Sequence, residues 1–151
     1  MKIAVLGTGM VGRAVAVGLA NLGLDVVIGT REPAASPART GAEDFGTWAA
    51  MNSQIGVGTY ARASRDAVLV VNALNGAVSV AGVRAAEIAD GTVLLDIANP
   101  LDLSGDAPAL FVGNDDSLGE QLQRVPGVAG REVAEHDDGA GHGRTAPDRR
   151  R

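Results

Sequence analysis

A glycine pattern near the start of the chain carries the clearest chemical signal. Residues 7–12 have G-x-G-x-x-G spacing, directly after the apolar run Ile3–Leu6 and at the start of a segment with helical apolar spacing. In this context the first glycine permits a tight turn, the second lets a pyrophosphate approach, and the third lets helix and strand pack closely. The helix N-terminus offers free N–H groups to the phosphates. The pattern predicts a dinucleotide site made by Gly7, Thr8, Gly9, Met10, Val11 and Gly12.

The end of the second predicted strand indicates which dinucleotide is preferred. Sites that prefer NAD normally carry Asp or Glu there, about 20 residues after the glycines, to hold the ribose 2′-hydroxyl. Here the strand closes with Gly29 and is followed by Thr30, Arg31 and Glu32. Because a guanidinium can pair with a 2′-phosphate, Thr30 and Arg31 predict NADP over NAD. Glu32 keeps the alternative open, since a carboxylate facing the ribose would favour NAD.

Two further loops are predicted at the carboxyl ends of strands, where open α/β sheets bind ligands. One covers residues 72–76 and the other residues 96–100, and their small side chains would let a nicotinamide ribose lie against the backbone. Asn-Gly and Asn-Pro are also common turn dipeptides, so turn formation explains the asparagines equally well. The cofactor-binding residues predicted in these loops are Asn72, Ala73, Leu74, Ala98, Asn99 and Pro100.

Strand and helix signals alternate through the first 124 residues. Strands are predicted at Ile3–Leu6, Val26–Ile28, Ile55–Val57, Val68–Val71 and Thr92–Asp96. Helices are predicted at Met10–Leu22, 42–51 and Val78–Ala89, and from the capping box Ser117-Leu118-Gly119-Glu120 to about Arg124. Such repeats predict an α/β fold: a doubly wound parallel sheet of the Rossmann type with helices on both faces. We expect it to end after the fifth strand and the helix that follows.

Composition and charge exclude several classes of function. A chain of 151 residues predicts about one domain, and a formal net charge of −5 argues against a nucleic-acid-binding protein. The absence of cysteine excludes disulfides and cysteine-ligated zinc. We see neither an apolar run long enough to span a membrane nor a signal peptide. We therefore expect a cytoplasmic protein whose partners are small-molecule cofactors, with no nucleic acid and no membrane.

No set of side chains predicts acid–base, nucleophilic or metal catalysis. The first 124 residues contain no histidine, and their carboxylates are scattered. This suits hydride transfer between two cofactors, which mainly requires the rings to be positioned. The residues His136, Asp137, Asp138 and His142 lie in a glycine-rich tail and predict no metal site. The main alternative is an NADP-binding regulator or sensor without catalysis, which turnover of NADPH would distinguish from an enzyme.

Several segments resemble the NADPH-dependent deazaflavin-coenzyme reductases. The resemblance covers residues 1–124 and is carried by residues 1–12, Val27–Arg31, Val71–Ala73, 94–102 and 116–123. The stretch Asp-Ile-Ala-Asn-Pro-Leu-Asp at 96–102 is its most specific part, whereas the glycine loop is generic. The resemblance implies a Rossmann domain that carries hydride between NADP(H) and a deazaflavin-type coenzyme or a similar electron carrier. It also implies that Thr8, Thr30 and Arg31 hold the NADP phosphates.

The last 27 residues depart from this family. Relatives continue into a sixth strand with a pattern like F-P-x-A-R-V-V-K-T-L-N-T-M and then a small substrate lobe, through which many are dimers. Residues 125–151 instead lack Leu, Ile, Met, Phe, Tyr and Trp, a composition typical of disorder. We therefore expect an NADP-binding domain at 1–124, a disordered tail at 125–151, and a homodimer only if the missing lobe exists.

A reading-frame change would explain the tail. Codon degeneracy permits the residues from Val125 onward, when read one base later, to encode F-P-x-x-R-V-V-K-S-L-N-T-M-T, which is close to the family pattern. We therefore hypothesise that this segment is out of frame, through a sequencing error or a real mutation. The alternative is a genuinely divergent tail. In that case the product would lack the substrate lobe, expose the edge of the fifth strand and catalyse little.

Overall fold

The main sheet contains six parallel strands. The computed structural model describes residues 1–33, 44–102, 109–113, 116–126, 128 and 133–135. The strands are β1 (Lys2–Leu6), β2 (Asp25–Thr30), β3 (Gly56–Thr59), β4 (Leu69–Asn72), β5 (Val93–Asp96) and β8 (Val133–Glu135), in the order β3-β2-β1-β4-β5-β8. The order reverses between β1 and β4, which is where open α/β sheets form a ligand crevice.

Helices cover both faces of this sheet, so the predicted doubly wound fold is confirmed. Helices α1 (Met10–Asn21) and α2 (Phe45–Met51) contribute to the core on one face, and α3 (Tyr60–Ser64), α4 (Gly76–Ala85) and α5 (Leu118–Gln123) to the core on the other. Strand β1 supplies both cores, because Ile3 and Val5 point to the first face and Ala4 and Leu6 to the second. A strand buried on both faces requires a continuous apolar run, as β1 has.

Besides β8, three short elements were not predicted. Helix α3 follows β3 directly and begins where the Thr59 side chain accepts a hydrogen bond from the Arg62 N–H at 3.2 Å. Strands β6 (Leu101–Asp102) and β7 (Ala109–Leu110) form a separate antiparallel pair. Each element has only two to five residues, too few to show a clear apolar period.

Helix α5 begins as its capping box predicts. The Ser117 Oγ accepts a hydrogen bond from the Glu120 N–H at 3.1 Å. Ahead of the cap, the Asp116 carboxylate forms an ion pair with Arg124 at 2.7 Å. This hydrogen-bonded guanidinium, with a second hydrogen bond from Gln121, lowers the pKa of Asp116. The ion pair thereby links the residue ahead of the N-cap to the residue that follows the last turn of α5.

The five predicted parallel strands are all present, and one further short strand, β8, lies beside β5. Strand β8 pairs with β5 in parallel, with Leu94 opposite Val133 and Asp96 opposite Glu135. Before it, Val125 and Val128 are buried in the core that contains α5. Composition describes side chains, whereas strand pairing is made by backbone N–H and C=O groups, and the edge of β5 offers these to any extended segment. The residues of the tail weighed as metal ligands, His136, Asp137, Asp138 and His142, lie outside the described residues.

The described part of the chain contains neither a membrane-spanning helix nor a cluster of metal-binding side chains. No helix there is both long and apolar enough to cross a membrane. Nor do those residues bring together three or more His, Cys, Asp or Glu side chains in a way that suits a metal ion.

Candidate functional site

The glycine loop connects β1 to α1 and places its three glycines in different surroundings. Gly7 has a positive φ of 122°, and a Cβ there would lie 2.6 Å from the Ala73 carbonyl oxygen. A Cβ at Gly12 would collide with the Gly7 carbonyl oxygen, so helix and loop pack too closely for any side chain. A Cβ added at Gly9 would have no atom of the described residues within 4 Å. The loop therefore presents bare backbone to open space at Gly9, as a pyrophosphate requires.

An arginine that the sequence analysis missed anchors this loop. The Arg13 Nε donates a hydrogen bond to the Thr8 carbonyl oxygen at 2.8 Å. Its guanidinium lies over the rings of Phe45 and Trp48, 5.4 and 5.7 Å from their centroids. These two rings stack on each other at 5.5 Å. The sequence shows an arginine directly after the glycine motif and two aromatic residues in the next predicted helix. Nothing in it indicates that these three residues are in contact.

The end of β2 opens into a cleft. Its volume is about 340 Å³, and it is lined by Thr30, Arg31, Thr59, Tyr60, Ala61, Val78, Ala81, Gly82 and Ala85. Arg31 lines it, whereas Glu32 is exposed and is not among the lining residues. Within the described residues, Arg31 has no carboxylate partner. The cation thus remains available to an anionic ligand at the position predicted to meet the 2′-phosphate.

Sequence reasoning found two of the cleft residues and missed the others. Thr30 and Arg31 follow directly from the strand-end rule for dinucleotide sites. The rest of the lining comes from Thr59 at the end of β3 and from α3 and α4, which are far from β2 in the sequence. Apart from Thr59 and Tyr60 these lining residues are small or apolar. Nothing in the sequence distinguishes any of them from ordinary strand-end or helix residues.

The two predicted strand-end loops are joined by buried polar side chains. The Asn72 Nδ2 donates to the Asp96 carboxylate at 2.7 Å, and Asn72 is fully buried. The Asn72 Oδ1 accepts from the Leu74 N–H at 3.3 Å, and the Asp96 Oδ1 from the Ala98 N–H at 3.1 Å. The Asn72 side chain therefore holds the loops and does not face a ligand, as the turn interpretation had allowed.

The three loops meet at the carboxyl edge of the sheet. The Ala73 carbonyl lies against Gly7, and the Asn99 carbonyl lies so close to Gly76 that a Cβ there would collide with it. Met10 and Val11 have exposed side chains, so only their backbone lies at the turn itself. Pro100 continues the third loop and its carbonyl oxygen accepts from the Phe111 N–H at 3.0 Å. The structure therefore brings the predicted loops together in one crevice.

The tyrosine of the cleft has an unusual environment. Tyr60 is 9% exposed, and burial raises the pKa of its hydroxyl while the positive charge of Arg31 acts to lower it. Because the net direction is upward, the phenol is protonated at neutral pH and can donate a hydrogen bond.

Comparisons with known proteins agree with this arrangement. The family described as "NADP oxidoreductase coenzyme F420-dependent" matches residues 2–100. A crystal structure of a candidate F420-dependent NADP reductase from Arthrobacter sp. FB24 is 48% identical with a TM-score of 0.80. The match covers 88% of this chain and 60% of that one, so this chain spans well under two thirds of its relative's length. Among curated proteins, none matches the chain.

More distant structures share the fold alone. A hypothetical protein from Sinorhizobium meliloti is 18% identical with a TM-score of 0.66, over 88% of this chain and 59% of that one. Plasmodium falciparum pyrroline carboxylate reductase, solved with NADP bound, is 13% identical with a TM-score of 0.54, over 88% and 40%. The family match covers well over half of the chain and includes the glycine loop, Arg31 and both strand-end loops. The chain therefore belongs to the F420-dependent family of NADP oxidoreductases.

Proposed function

We propose that this chain binds NADP(H) and serves hydride transfer between NADP(H) and a deazaflavin-type coenzyme or a similar electron acceptor. The observation that carries the proposal is the open backbone at Gly9, set where the three loops meet at the reversal of strand order. Dinucleotides bind across such a crevice with the pyrophosphate at the helix N-terminus. F420 is a deazaflavin, so the family name supports this class of acceptor.

The two ends of the crevice suit the two halves of the dinucleotide. On one side, Thr30 and Arg31 line the cleft that would take the adenosine half and its 2′-phosphate. On the other side, Ala98, Asn99 and Pro100 would lie against the nicotinamide ribose. Thr8, with its carbonyl held by Arg13, remains beside the pyrophosphate position.

The described residues contribute positioning to the reaction. A bound nicotinamide supplies the hydride chemistry itself. The buried hydrogen bonds of Asn72 and Asp96 hold the loops that would orient its ring. A pre-formed crevice of this kind accelerates transfer by keeping the reacting rings in one geometry.

Replacing Arg31 with alanine tests the cofactor assignment. A charge-assisted hydrogen bond contributes about 1.5–3 kcal/mol, so the dissociation constant for NADPH should rise roughly 10- to 100-fold. The constant for NADH should change less than about twofold, since NADH has no 2′-phosphate to lose. Isothermal titration calorimetry measures both.

The matched control for this experiment is Arg84→Ala. Arg84 is exposed on α4 and does not line the cleft, so its loss removes one positive charge and should leave both affinities unchanged. Equal affinity of the unmodified protein for NADPH and NADH would contradict the preference for NADP.

Turnover distinguishes the proposed enzyme from its alternatives. NADPH oxidation with a deazaflavin acceptor would support the oxidoreductase, and binding without turnover on any acceptor would favour a regulator or sensor. An inactive truncated product would show no cooperative thermal unfolding transition whose midpoint temperature rises with added NADPH. We further propose a cytoplasmic protein whose partners are small-molecule cofactors, with no nucleic acid and no membrane, and a homodimer only if a C-terminal lobe exists.

A further inference from the structure

We propose that the Tyr60 hydroxyl is a specificity-determining hydrogen-bond donor to the 2′-phosphate of NADP(H), acting beside Arg31. This inference rests on the proposed binding of NADP(H) and adds a residue on a different element from the strand-end pair. Tyr60 opens α3, and both residues line the same cleft.

Packing holds the Tyr60 ring in place. A Cβ at Gly29 on β2 would lie 3.2 Å from its Cδ1, and a Cβ at Gly82 on α4 would lie 3.8 Å from its Cε2. The ring thus lies between two glycines and belongs to the core cluster of that face. A side chain confined in this way loses little further freedom when its hydroxyl binds a ligand.

The Tyr60 hydroxyl is accessible and has no hydrogen-bond partner among the residues that the structure describes. A tyrosine whose ring is buried usually gives its hydroxyl a hydrogen-bond partner. Because the side chain is nine-tenths buried and lines the cleft with Arg31, which has no carboxylate partner among the described residues, we infer that the bound ligand supplies the partner.

The neighbouring Thr59 also lines the cleft, and its hydroxyl oxygen accepts a hydrogen bond from the Arg62 N–H and so caps α3. Of the two α3 residues that line the cleft, Tyr60 and Ala61, Tyr60 is the one whose side chain can donate a hydrogen bond. Small α4 residues such as Ala81 leave space there.

The ligand class follows from the chemistry of the two donors. Tyr60 is a neutral donor because burial keeps its phenol protonated, and Arg31 is a permanent cation. Together they suit a doubly charged phosphate ester, since hydrogen bonds to ionised acceptors are about twice as strong as neutral ones. A ribose 2′-hydroxyl would gain much less from the same donors, so the pair favours NADP(H) over NAD(H).

The variant Tyr60→Phe removes the hydroxyl and keeps the ring. We expect its dissociation constant for NADPH to rise about tenfold and that for NADH to change less than about twofold. The matched control is Ser64→Ala, which removes another hydroxyl from α3, one that is buried, has no hydrogen-bond partner and does not line the cleft. It should leave both affinities unchanged. Thermal unfolding checks that each variant remains folded.

A spectroscopic measurement reports on the same hydroxyl without a substitution. The chain has a single tyrosine, so its phenolate ultraviolet absorbance titrates Tyr60 alone. Adenosine 2′-monophosphate should raise the pKa of Tyr60, because a hydrogen bond to the phosphate favours the protonated phenol. Adenosine, which has no phosphate, should leave the titration unchanged.

The outcomes separate this inference from the function on which it rests. One outcome overturns the role of Tyr60 and leaves the proposed function standing. In it, the unmodified protein prefers NADPH, Tyr60→Phe binds NADPH as tightly as the unmodified protein does, and adenosine 2′-monophosphate leaves the pKa of Tyr60 unchanged. Equal weakening of NADPH and NADH would assign Tyr60 to packing and also overturn its role. If the unmodified protein binds neither dinucleotide, both proposals fall together.

Discussion

At the scale of single residues, the glycines of the G-x-G-x-x-G motif differ in what limits them. Gly7 and Gly12 are required by the fold, because a Cβ at either would press on backbone carbonyl oxygens that cannot move aside. An added Cβ at Gly9 would meet no atom of the described residues within 4 Å, and the φ of −71° is one that any residue can adopt. Nothing in the described part of the chain therefore requires glycine at this position, and we expect the requirement to come from the bound ligand.

The variant Gly9→Ala should fold but bind NADPH poorly. Alanine at a helix N-cap costs about 1 kcal/mol relative to favoured residues, whereas its Cβ would occupy the space of the pyrophosphate. We expect the dissociation constant for NADPH to rise more than tenfold, measured by calorimetry. The control Gly18→Ala also adds a methyl group to α1 in open space and should leave binding unchanged. Unaltered NADPH affinity in Gly9→Ala would place the cofactor elsewhere.

At the scale of elements, the ends of β4 and β5 are joined by side chains as well as by the sheet. The Asp96 Oδ1 accepts from both Asn72 and the Ala98 N–H, and the Asn72 Oδ1 accepts from the Leu74 N–H. These hydrogen bonds hold the first residues of both loops in place, so the crevice forms without a ligand. The polar residues are buried there because their partners satisfy them.

Removing the Asp96 carboxylate should therefore weaken the whole protein. In Asp96→Ala the buried Asn72 amide and the Ala98 N–H lose their acceptor, and each unsatisfied group costs about 1–3 kcal/mol. We expect the free energy of unfolding to fall by about 2–4 kcal/mol in urea titrations. Asp25→Ala, which removes an exposed carboxylate at the start of β2, should change it by less than about 0.5 kcal/mol. A similarly small effect of Asp96→Ala would mean that the hydrogen bonds of Asp96 are not needed to stabilise the two loops.

At the scale of the whole molecule, the sheet continues beyond the segment that resembles known relatives. Val125 and Val128 are buried against the core and β8 covers the edge of β5. Pairing at this edge reduces the exposure of β5, which an open edge would leave free to associate with other chains. The frame hypothesis concerns the same segment, and most of its residues lie outside the described part of the chain.

The reading frame is tested at the level of DNA. We expect resequencing of the codons from Gln123 to Gly139 to reveal a missing or extra base, because the tail lacks the large apolar residues that a packed lobe requires. The corrected chain should then continue into the substrate lobe and show turnover with a deazaflavin acceptor. An unaltered sequence would contradict the hypothesis and make the contacts of Val125, Val128 and β8 native features of the protein.

Local residue patterns were enough to predict the order of the first five parallel strands along the chain, their alternation with helices and the position of the glycine loop. Apolar periodicity and glycine spacing are local properties, so Ile3–Leu6, the glycine motif and the capping box at Ser117 could be interpreted without knowing what they contact. The ends of the third strand and of α4 differ from the prediction by one to four residues, since the ends of elements depend on capping bonds such as the one that the Asn75 side chain accepts from the Ala77 N–H.

The contacts of the predicted site residues depend on how the elements pack. In the folded chain, Asn72 donates a hydrogen bond to Asp96, and Arg13 donates one to the Thr8 carbonyl of the glycine loop. Tyr60 and Arg31 line the same cleft. The fold also places β8 on an edge that composition had left open. Each of these contacts joins residues on separate elements or uses backbone groups common to every residue. Their presence depends on how the elements pack, and no local pattern of residue types records it.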